Sequence, residues 1–344
     1  MPVPTTYINE DLSYYPFTLS QSIGSLKVGA YTMKQRWVKL MQLCNNTEVC
    51  IPVNTIPTTV LLKHVYKHRT IPINYAKQCI PLHSSLCFIH NIAAIIAVDV
   101  ALLTPSTKKL PNTLHHTGTG LLHIGKGCTI EHIYCNTTLG PIYIGNHVHI
   151  QDNVCLRGPL YIGDNTVIKA GATIYGATII SNNCIIGGEV KNSIILQGTN
   201  KAHYGYLGNS MLGEYCNLGA GTTNSNIKNN ASNVHVELNE LLINAGIKCG
   251  TIMGHYSRTA INTSINTGTV IGTCCNIYAT GLTPKYIPSF SWGVSGTIYH
   301  YNKAIADTEK WLAMKGKKLS QIQKKKLKEV YLALPNTSKP LPLT

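Results

Sequence analysis

The middle of the chain carries an aliphatic residue at every sixth position. These residues are Ile144, Ile150, Leu156, Ile162, Ile168, Ile174, Ile180 and Ile186. Glycine follows three of them, at Gly145, Gly163 and Gly187, and the positions between are mostly small or polar. A period of six fits neither an amphipathic helix nor an alternating strand. It predicts a solenoid of short parallel strands, in which three hexads close a triangular coil of about 18 residues.

The same period returns nearer the C-terminus. Leu212 and Leu218 are six residues apart, and a longer run follows with one polar member. That run consists of Ile247, Met253, Thr259, Ile265, Ile271 and Ile277. Residues 190–246 break the phase, which predicts loops that leave the coils. Since loops inserted into a solenoid emerge on one face, often the binding face, the candidate chemistry is expected in this segment.

The pattern divides the chain into three parts and predicts a mainly β protein. Residues 1–115 lack the hexad and mix apolar runs with proline-rich turns, which predicts a small α/β domain with a helix within Val28–Leu43. Residues 105–120 are interpreted as a linker, and the solenoid is expected over 120–282. Residues 300–335 predict a C-terminal helical segment. The alternative is a β-sandwich in which the six-residue spacing is a coincidence.

Composition excludes several protein classes. Hydrophobic residues make up 44% of the 344 residues and charged residues 12%. The most apolar segment, Ile92–Leu103, contains Asp99 and is too short to span a bilayer. The chain does not open on a charged-then-apolar signal peptide, so a cytoplasmic protein is expected. Twelve cysteines without regular spacing predict small core residues in a reducing compartment and no metal site.

The net charge of +15 raises the question of an anionic partner. Part of the charge lies near the C-terminus, at Lys315, Lys317, Lys318, Lys324, Lys325, Lys326 and Lys328. Nucleic acid is one candidate, but neither an aromatic platform nor a known binding motif accompanies these lysines. A phosphorylated small molecule, or a solvated helix face, explains the charge as well. We therefore expect no nucleic-acid partner.

Two motifs in the out-of-phase segment resemble a known family. Lys201–Gly208 and Cys216–Thr222 are similar to the acetyltransferase half of the bifunctional enzyme that makes UDP-N-acetylglucosamine. The chain is closer still to a bacterial family of sugar nucleotidyltransferases, shorter relatives of that enzyme. The marks of this second resemblance span most of the chain. They are Pro16–Thr18, Val28-Gly29, Trp37, Asn217–Asn230, Met253–His255, Ile261–Thr263 and Tyr286–Gly293.

The resemblance implies a left-handed parallel β-helix, a homotrimer, and acetyl-CoA bound as co-substrate between neighbouring subunits. It implies a general base at His203, because a neutral imidazole can accept the proton that an amine loses while attacking a thioester. Four further residues match positions that bind the sugar phosphate: Lys191, Tyr206, Asn217 and Asn226. Three fall near positions that line the acyl-CoA site: Ala220, His255 and Thr267.

Each of these residues also has a purely structural interpretation. His203 and Lys191 can be solvated surface residues, and Tyr206 can pack its ring in the core. Asn217 and Asn226 can be corner residues, because asparagine tolerates a left-handed backbone. These alternatives remain open from the sequence.

The N-terminal part departs from the nucleotidyltransferase pattern. The family's Thr-Arg-Pro motif, with its following Asp and Arg, is replaced by Ser20-Gln21-Ser22, with Ser25 and Lys27. These changes remove the expected partners of phosphate and Mg²⁺, so a degenerate domain is predicted. Three functions follow. The first is acyl transfer to a sugar phosphate or nucleotide sugar. The alternatives are sugar-1-phosphate nucleotidyl transfer, with Mg²⁺ needed only there, and a non-catalytic trimeric scaffold.

Overall fold

The computed structural model describes residues 15–19, 25–44, 55–72, 74–103, 105, 110–238 and 240–334. Within these ranges, the N-terminal part contains four helices and two antiparallel pairs of short strands. In chain order these are β1 (Lys27–Val28), β2 (Tyr31–Thr32), α1 (Met33–Gln42), β3 (Thr55–Pro57), α2 (Thr59–His68), β4 (Cys79–Pro81), α3 (Ser85–His90) and α4 (Ile92–Leu103). Single 3-10 turns lie at Phe17–Leu19 and Tyr75–Gln78. Ser20, Gln21 and Ser22 lie outside the described residues.

The rest of the chain is a parallel β-helix followed by two helices. Its strands are β5 (Leu114–Thr117), β6 (Leu122–Ile124), β7 (Thr129–Ile130), β8 (Ile133–Asn136), β9 (Ile142–Ile144), β10 (His149–Ile150), β11 (Val154–Arg157), β12 (Leu160–Ile162), β13 (Val167–Ile168), β14 (Thr173–Tyr175), β15 (Thr178–Ile180), β16 (Ile185–Ile186), β17 (Glu189–Lys191), β18 (Ile194–Ile195), β19 (Asn200–Lys201), β20 (Tyr206–Gly208), β21 (Met211–Leu212), β22 (Asn217–Leu218), β23 (Thr223–Asn224), β24 (His235–Leu238), β25 (Leu241–Asn244), β26 (Ile252–Met253), β27 (Arg258–Thr259), β28 (Ser264–Ile265), β29 (Val270–Ile271), β30 (Asn276–Ile277) and β31 (Tyr286–Ile287). The helices are α5 (Tyr301–Ala313) and α6 (Gln321–Leu332).

Three parallel sheets form the faces of the β-helix. The nine-stranded sheet runs from β6 to β31, the eight-stranded sheet from β7 to β30, and the six-stranded sheet from β5 to β20. Each strand pairs with the strand one coil away, as Leu160 and Ile162 do with Ile142 and Ile144. β23 and β28 form a further parallel pair beyond the six-stranded sheet. The mainly β fold predicted from the hexads is confirmed, and with it the left-handed parallel β-helix that the resemblance implies.

The aliphatic residues of the hexads fill the interior. Ile144, Ile150, Leu156 and Ile162 are at most 1% exposed and belong to one continuous cluster along the axis. Burying each side chain of this kind contributes roughly 1.5–3 kcal/mol. Because the interior is this narrow, any functional side chain must project outward from a strand or a corner.

The N-terminal helices cover the nine-stranded face. The outward side chains Tyr161, Ile179 and Ile194 join one apolar cluster with Ile92 and Ile96 of α4. The hairpin β24–β25 contributes Val236 and Leu238 to the same cluster. Apolar residues therefore occur on both sides of this sheet, and the face is closed to solvent over much of its length.

Asp99 explains how a charge fits into the apolar helix α4. Its carboxylate accepts hydrogen bonds from Arg36 Nε at 2.7 Å and from the Ala30 backbone N–H at 2.8 Å. Arg36 and Asp99 are both buried, so each compensates the charge of the other. Among the described residues, no helix has both the length and the apolar character needed to cross a membrane.

The C-terminal helices pack against part of the eight-stranded face. Arg258 projects from β27 and lies 5.4 Å from the ring of Trp311 in α5. Lys315, just after α5, donates to Asn200 Oδ1 at 2.8 Å. Both helices lie within the segment 300–335 that the sequence predicted to be helical. With two faces covered, the six-stranded face is the one that presents most of its outward side chains to solvent.

Three sequence expectations about the solenoid were wrong. Residues 190–224 do not leave the coils: Val190, Ile195, Leu207, Leu212 and Leu218 all point inward. The spacing between successive inward residues shortens instead, to four residues from Ile186 to Val190 and five from Val190 to Ile195. The inward residue at position 201 is a lysine rather than an aliphatic residue. The true excursion follows β23. In addition, β5 forms inside the expected linker 105–120, and β31 extends the coils beyond residue 282.

Asparagine at the corners adopts a left-handed backbone, for example at Asn153 with φ 58°. Such a backbone costs a β-branched residue about 1–2 kcal/mol, whereas glycine adopts it freely. We therefore expect Asn153→Val to lower the free energy of unfolding by about 1–2 kcal/mol, and Asn153→Gly to change it by less than about 0.5 kcal/mol. Urea denaturation measures both. A valine variant as stable as the glycine variant would contradict this explanation of the corners.

Candidate functional site

Polar side chains converge on the six-stranded face where β14, β17 and β20 lie side by side. The register pairs Tyr175 with Lys191, Lys191 with Gly208, and Glu189 with Tyr206. The residue between Glu189 and Lys191, Val190, is buried, so the two charged side chains point outward together. This patch of the open face, formed by Tyr175, Glu189, Lys191, Tyr206 and Asn226, is called the polar patch below.

Tyr175 connects the two charged residues of the polar patch. Its hydroxyl donates to Glu189 Oε1 at 2.5 Å, and the Lys191 ammonium lies 5.2 Å from the centre of its ring. The hydrogen bond to Glu189 raises the pKa of Tyr175 to about 12, so the phenol stays protonated near neutral pH. Lys191 and Glu189 are thus held on one surface, with Lys191 free to reach an anion.

Tyr206 is held against the strand by a glycine and an asparagine. A side chain at Gly208 would meet the Tyr206 hydroxyl at 2.1 Å, so only glycine lets the ring lie along β20. Asn226 Nδ2 donates to the Tyr206 hydroxyl at 2.9 Å and to Asn209 Oδ1 at 2.7 Å. Burial and the nearby Glu189 raise the pKa of Tyr206, although the Asn226 hydrogen bond opposes them. Tyr206 therefore remains a hydrogen-bond donor near neutral pH.

His203 lies at the corner that joins β19 to β20, at the edge of the polar patch. Its side chain is exposed. Ala220 occupies the same corner one coil later, and its carbonyl accepts from the Asn262 backbone N–H at 2.7 Å. The structure thus places His203 three residues before Tyr206 and beside the coil that carries Ala220.

Lys201 anchors the corner of His203 from inside the solenoid. The residue is 2% exposed, and its ammonium donates to the carbonyl oxygens of Gly187 at 2.9 Å and His203 at 2.5 Å. Burial lowers the pKa of Lys201 to about 8. A charged side chain at a position that is aliphatic in neighbouring coils fixes the backbone from which the His203 side chain projects.

The structure does not bring Asn217 or His255 to the polar patch within one chain. Asn217 projects from the eight-stranded sheet, between Asn200 and Arg258. His255 is 1% exposed and packs beneath Phe17, with Nδ1 accepting from the Glu214 backbone N–H at 2.9 Å. Burial lowers the pKa of His255, so the ring is neutral. A cofactor-lining role for this enclosed side chain is therefore not supported by the single chain.

Thr267 supports the segment that carries Asn226. Its hydroxyl donates to Ser225 Oγ at 2.6 Å and lies 3.3 Å from the Ile227 carbonyl oxygen, and the residue is 3% exposed. The resemblance placed Thr267 near the acyl-CoA site. In this chain its contacts instead fix the residues on both sides of Asn226.

Sequence reasoning missed Glu189, Tyr175 and Lys201. The sequence Glu-Val-Lys at 189–191 alternates polar, apolar and polar, as a strand with two outward side chains does. Because Val190 follows Ile186 by four residues instead of six, the six-residue period did not indicate this strand. The role of Lys201 could not be found from periodicity, because a charged residue marks a break in an aliphatic pattern. Within the ranges that the structure describes, no group of three or more His, Cys, Asp or Glu residues could hold a metal ion.

The repeat itself matches a known family model. The model of the bacterial transferase hexapeptide (six repeats) matches residues 141–176, which run from β9 to β14. This match accounts for the regular part of the solenoid and ends before the polar patch is complete.

Relatives with assigned names match a limited part of the chain. The bifunctional protein GlmU of Methanocaldococcus jannaschii is 36% identical over 101 residues, covering 29% of this chain and 25% of that protein. The bifunctional sugar-1-phosphate nucleotidylyltransferase/acetyltransferase of Sulfurisphaera tokodaii is 37% identical over 91 residues, covering 26% and 23%. The chain thus spans a quarter or less of the length of these relatives. Both relatives are named as bifunctional proteins.

Proposed function

We propose that this protein is an acyl-CoA-dependent acyltransferase that acetylates a sugar phosphate or a nucleotide sugar. The convergence of Lys191, Tyr206 and Asn226 on the open face, with His203 at its edge, carries the proposal. The name of the Sulfurisphaera tokodaii relative supports it, since it includes both an acetyltransferase and a sugar-1-phosphate nucleotidylyltransferase. Nucleotide-sugar biosynthesis is the corresponding process.

The chemical step requires a base beside the attacking group. The acceptor amine, or a hydroxyl, forms a bond to the thioester carbonyl carbon while its proton passes to the imidazole of His203. The tetrahedral intermediate then collapses, the carbon–sulfur bond breaks, and the coenzyme A thiolate takes up a proton. Backbone amides stabilise the negative oxygen of the intermediate.

The polar patch is suited to hold the acceptor. The Lys191 ammonium pairs with a phosphate, while the Tyr206 and Tyr175 hydroxyls and the Asn226 amide bond to hydroxyls of a sugar. Both phenols are protonated near neutral pH because their pKa values are raised. Glu189 lies beside Tyr206 and provides a carboxylate for an amino or hydroxyl group of the acceptor.

Neighbouring copies of the chain complete the site in this proposal. Of the residues that the resemblance implies for acyl-CoA, Ala220 lies at the His203 corner, whereas His255 and Thr267 are buried within the chain, so a neighbouring copy supplies the rest of that site in this proposal. Tyr204 and Ile261 support a contact at the His203 corner, since they are 69% and 70% exposed although both are large and apolar. A homotrimer with acetyl-CoA between subunits, beside Ala220, is the arrangement that we propose.

The test is an acyl-transfer assay with the full chain. The protein is incubated with acetyl-CoA and either an amino-sugar 1-phosphate or a UDP-linked amino sugar, and the acetylated acceptor is detected by mass spectrometry. We expect acetylation of at least one acceptor. Failure to bind acetyl-CoA in calorimetry, together with no product, would favour a non-catalytic scaffold instead.

Nucleotidyl transfer is the second candidate, favoured by the name of the Sulfurisphaera relative. It would need a nucleotide-binding N-terminal part and Mg²⁺. Of the positions that replace the family motif, Ser25 and Lys27 lie within the described residues, next to and in β1. Release of pyrophosphate from UTP and a sugar 1-phosphate would establish this activity, and the same protein preparation can be assayed for both reactions.

Lys191 provides a smaller, separate prediction. Replacing it with methionine removes the proposed partner of the phosphate, and a charge-assisted hydrogen bond contributes about 1.5–3 kcal/mol. We expect Lys191→Met to raise the KM for the acceptor about tenfold or more, with a smaller change in kcat. Lys328→Met, an exposed lysine of α6, is the control. An unchanged KM for Lys191→Met would remove Lys191 from the acceptor site.

A further inference from the structure

A polar cavity lies on another face of the solenoid, where α5 crosses the eight-stranded sheet. Its volume is about 290 Å³, near the lower end of small-molecule pockets. The residues that matter here are Asn217, Arg258 and Asn276 from the sheet, and Tyr299, Asp307 and Lys310 from the C-terminal segment. None of these belongs to the polar patch, and Asn217 is the predicted substrate residue that the patch does not use.

Arg258 is a buried cation without a carboxylate partner in the described part of the chain. It is 8% exposed, and its guanidinium donates to Thr308 Oγ1 at 3.3 Å and stacks 5.4 Å from the Trp311 ring centre. Its Nε atom is buried without a hydrogen-bond partner. An arginine stays charged when buried, and an uncompensated buried charge is costly. The Arg258 guanidinium can therefore bind an anion in the cavity.

Asp307 does not supply that anion. Its carboxylate accepts from the Tyr299 hydroxyl at 2.5 Å and from Lys303 Nζ at 3.1 Å, and Lys310 Nζ lies 3.7 Å away. The Tyr299 hydrogen bond, followed by the lysines, lowers the pKa of Asp307, so it is ionised. Two lysines surround this one carboxylate, which acts on Arg258 through a Coulombic interaction but forms no ion pair with it among the described residues.

The strands beside Arg258 supply neutral donors in a fixed row. β27 lies between β22 and β30, and the register pairs Arg258 with Asn217 on one side and with Asn276 on the other. Neighbouring strands are about 4.8 Å apart, so an amide side chain projects from the strand on each side of Arg258. A planar fork flanked by two amides matches the several oxygens of a phosphoryl group.

We propose that this cavity binds the phosphoryl group of a small phosphorylated molecule, at a site separate from the polar patch. Arg258 pairs with the phosphoryl oxygens, Asn217 and Asn276 donate from either side, and Lys310 lies at the α5 side of the cavity. Because α5 forms one wall, the bound anion joins the C-terminal helices to the solenoid. The proposal does not depend on acyl transfer, since it concerns binding alone.

Calorimetry and thermal unfolding of the full chain test the proposal, with inorganic phosphate and a hexose 1-phosphate as separate probes. We expect at least one probe to bind and to raise the Tm. Equal affinity for the two probes would identify the free anion as sufficient. Tighter binding of the hexose phosphate would show that the cavity also recognises the sugar. Absence of binding by both probes would overturn the proposal.

Variants assign the binding to this cavity. Arg258→Gln is expected to weaken the binding about tenfold or more, in line with the loss of a charge-assisted hydrogen bond. Lys310→Met, at an exposed position, tests the same cavity without disturbing the sheet and should weaken binding to a smaller extent. Lys191→Met is the control that removes the cation of the polar patch. Binding that disappears completely in Lys191→Met alone, or that persists when either cavity substitution is added to Lys191→Met, would overturn the assignment.

Discussion

Replacing His203 with alanine is expected to lower the rate of acyl transfer by about a hundredfold or more. This magnitude is that of a general base, which contributes roughly 10²–10⁴-fold to a proton transfer. The loss should appear mainly in kcat, because His203 acts on the proton of the attacking group and holds little of the ground-state acceptor. Steady-state kinetics with saturating acetyl-CoA provide the measurement.

A control substitution at another exposed histidine distinguishes loss of the base from a general effect of removing a histidine. His132 also lies on the solenoid, and its side chain is 81% exposed. His132→Ala should therefore leave the rate unchanged, and both variants should keep the wild-type Tm. Acyl transfer that survives intact in His203→Ala would remove the assigned base, even if the acceptor site on the open face were correct.

Lys201 is expected to make the stability of the protein depend on alkaline pH. The folded-state pKa of about 8 lies below the ordinary lysine value of 10.5, because burial disfavours the ammonium. Between these values the unfolded chain binds more protons than the folded chain, so the free energy of unfolding rises with pH. Relative to neutral pH, the contribution of Lys201 should grow by about 2–3 kcal/mol near pH 10.

The comparison with Lys201→Met isolates this contribution from other titrating groups. Urea denaturation of the wild type and the variant is measured from neutral pH to about pH 10, where the wild type should gain stability over the variant. Lys325→Met replaces an exposed lysine of α6 and should show a constant difference from the wild type over the same range. A constant difference for Lys201→Met as well would mean that its ammonium is not desolvated in the folded state.

The regular part of the fold could be predicted because its physics repeats. Each aliphatic residue from Ile144 to Ile186 is buried by the same geometry, so its spacing alone indicates the coil. The coils after Ile186 could not be predicted in this way. A step of four residues and the inward Lys201 both remove the periodic signal, although the hydrogen bonds between strands continue. The six-residue period depends on the interior side chains, whereas the hydrogen bonds that join one coil to the next are made by the backbone.

The candidate site was predictable where it is local in the sequence. His203 and Tyr206 are three residues apart, and their placement at one corner and the following strand needs little beyond the coil itself. Asn217 and Asn226 are nine residues apart, yet they face different sides of the solenoid, because a coil turns through a corner between them. The burial of His255 beneath Phe17 depends on a contact across 238 positions, which no short motif encodes.

The layer on the nine-stranded face also limits how this chain can change in length. Most solenoids can gain or lose whole coils during evolution, since each coil contacts only its neighbours. Here α4 and the hairpin share one apolar cluster with side chains from β12 through to β29. An added coil between those strands would displace the partners beyond the insertion by about 4.8 Å, the spacing of adjacent strands. The layer formed by α4 and the hairpin therefore fixes the number of coils from β12 to β29. A designed extension should add coils outside this range.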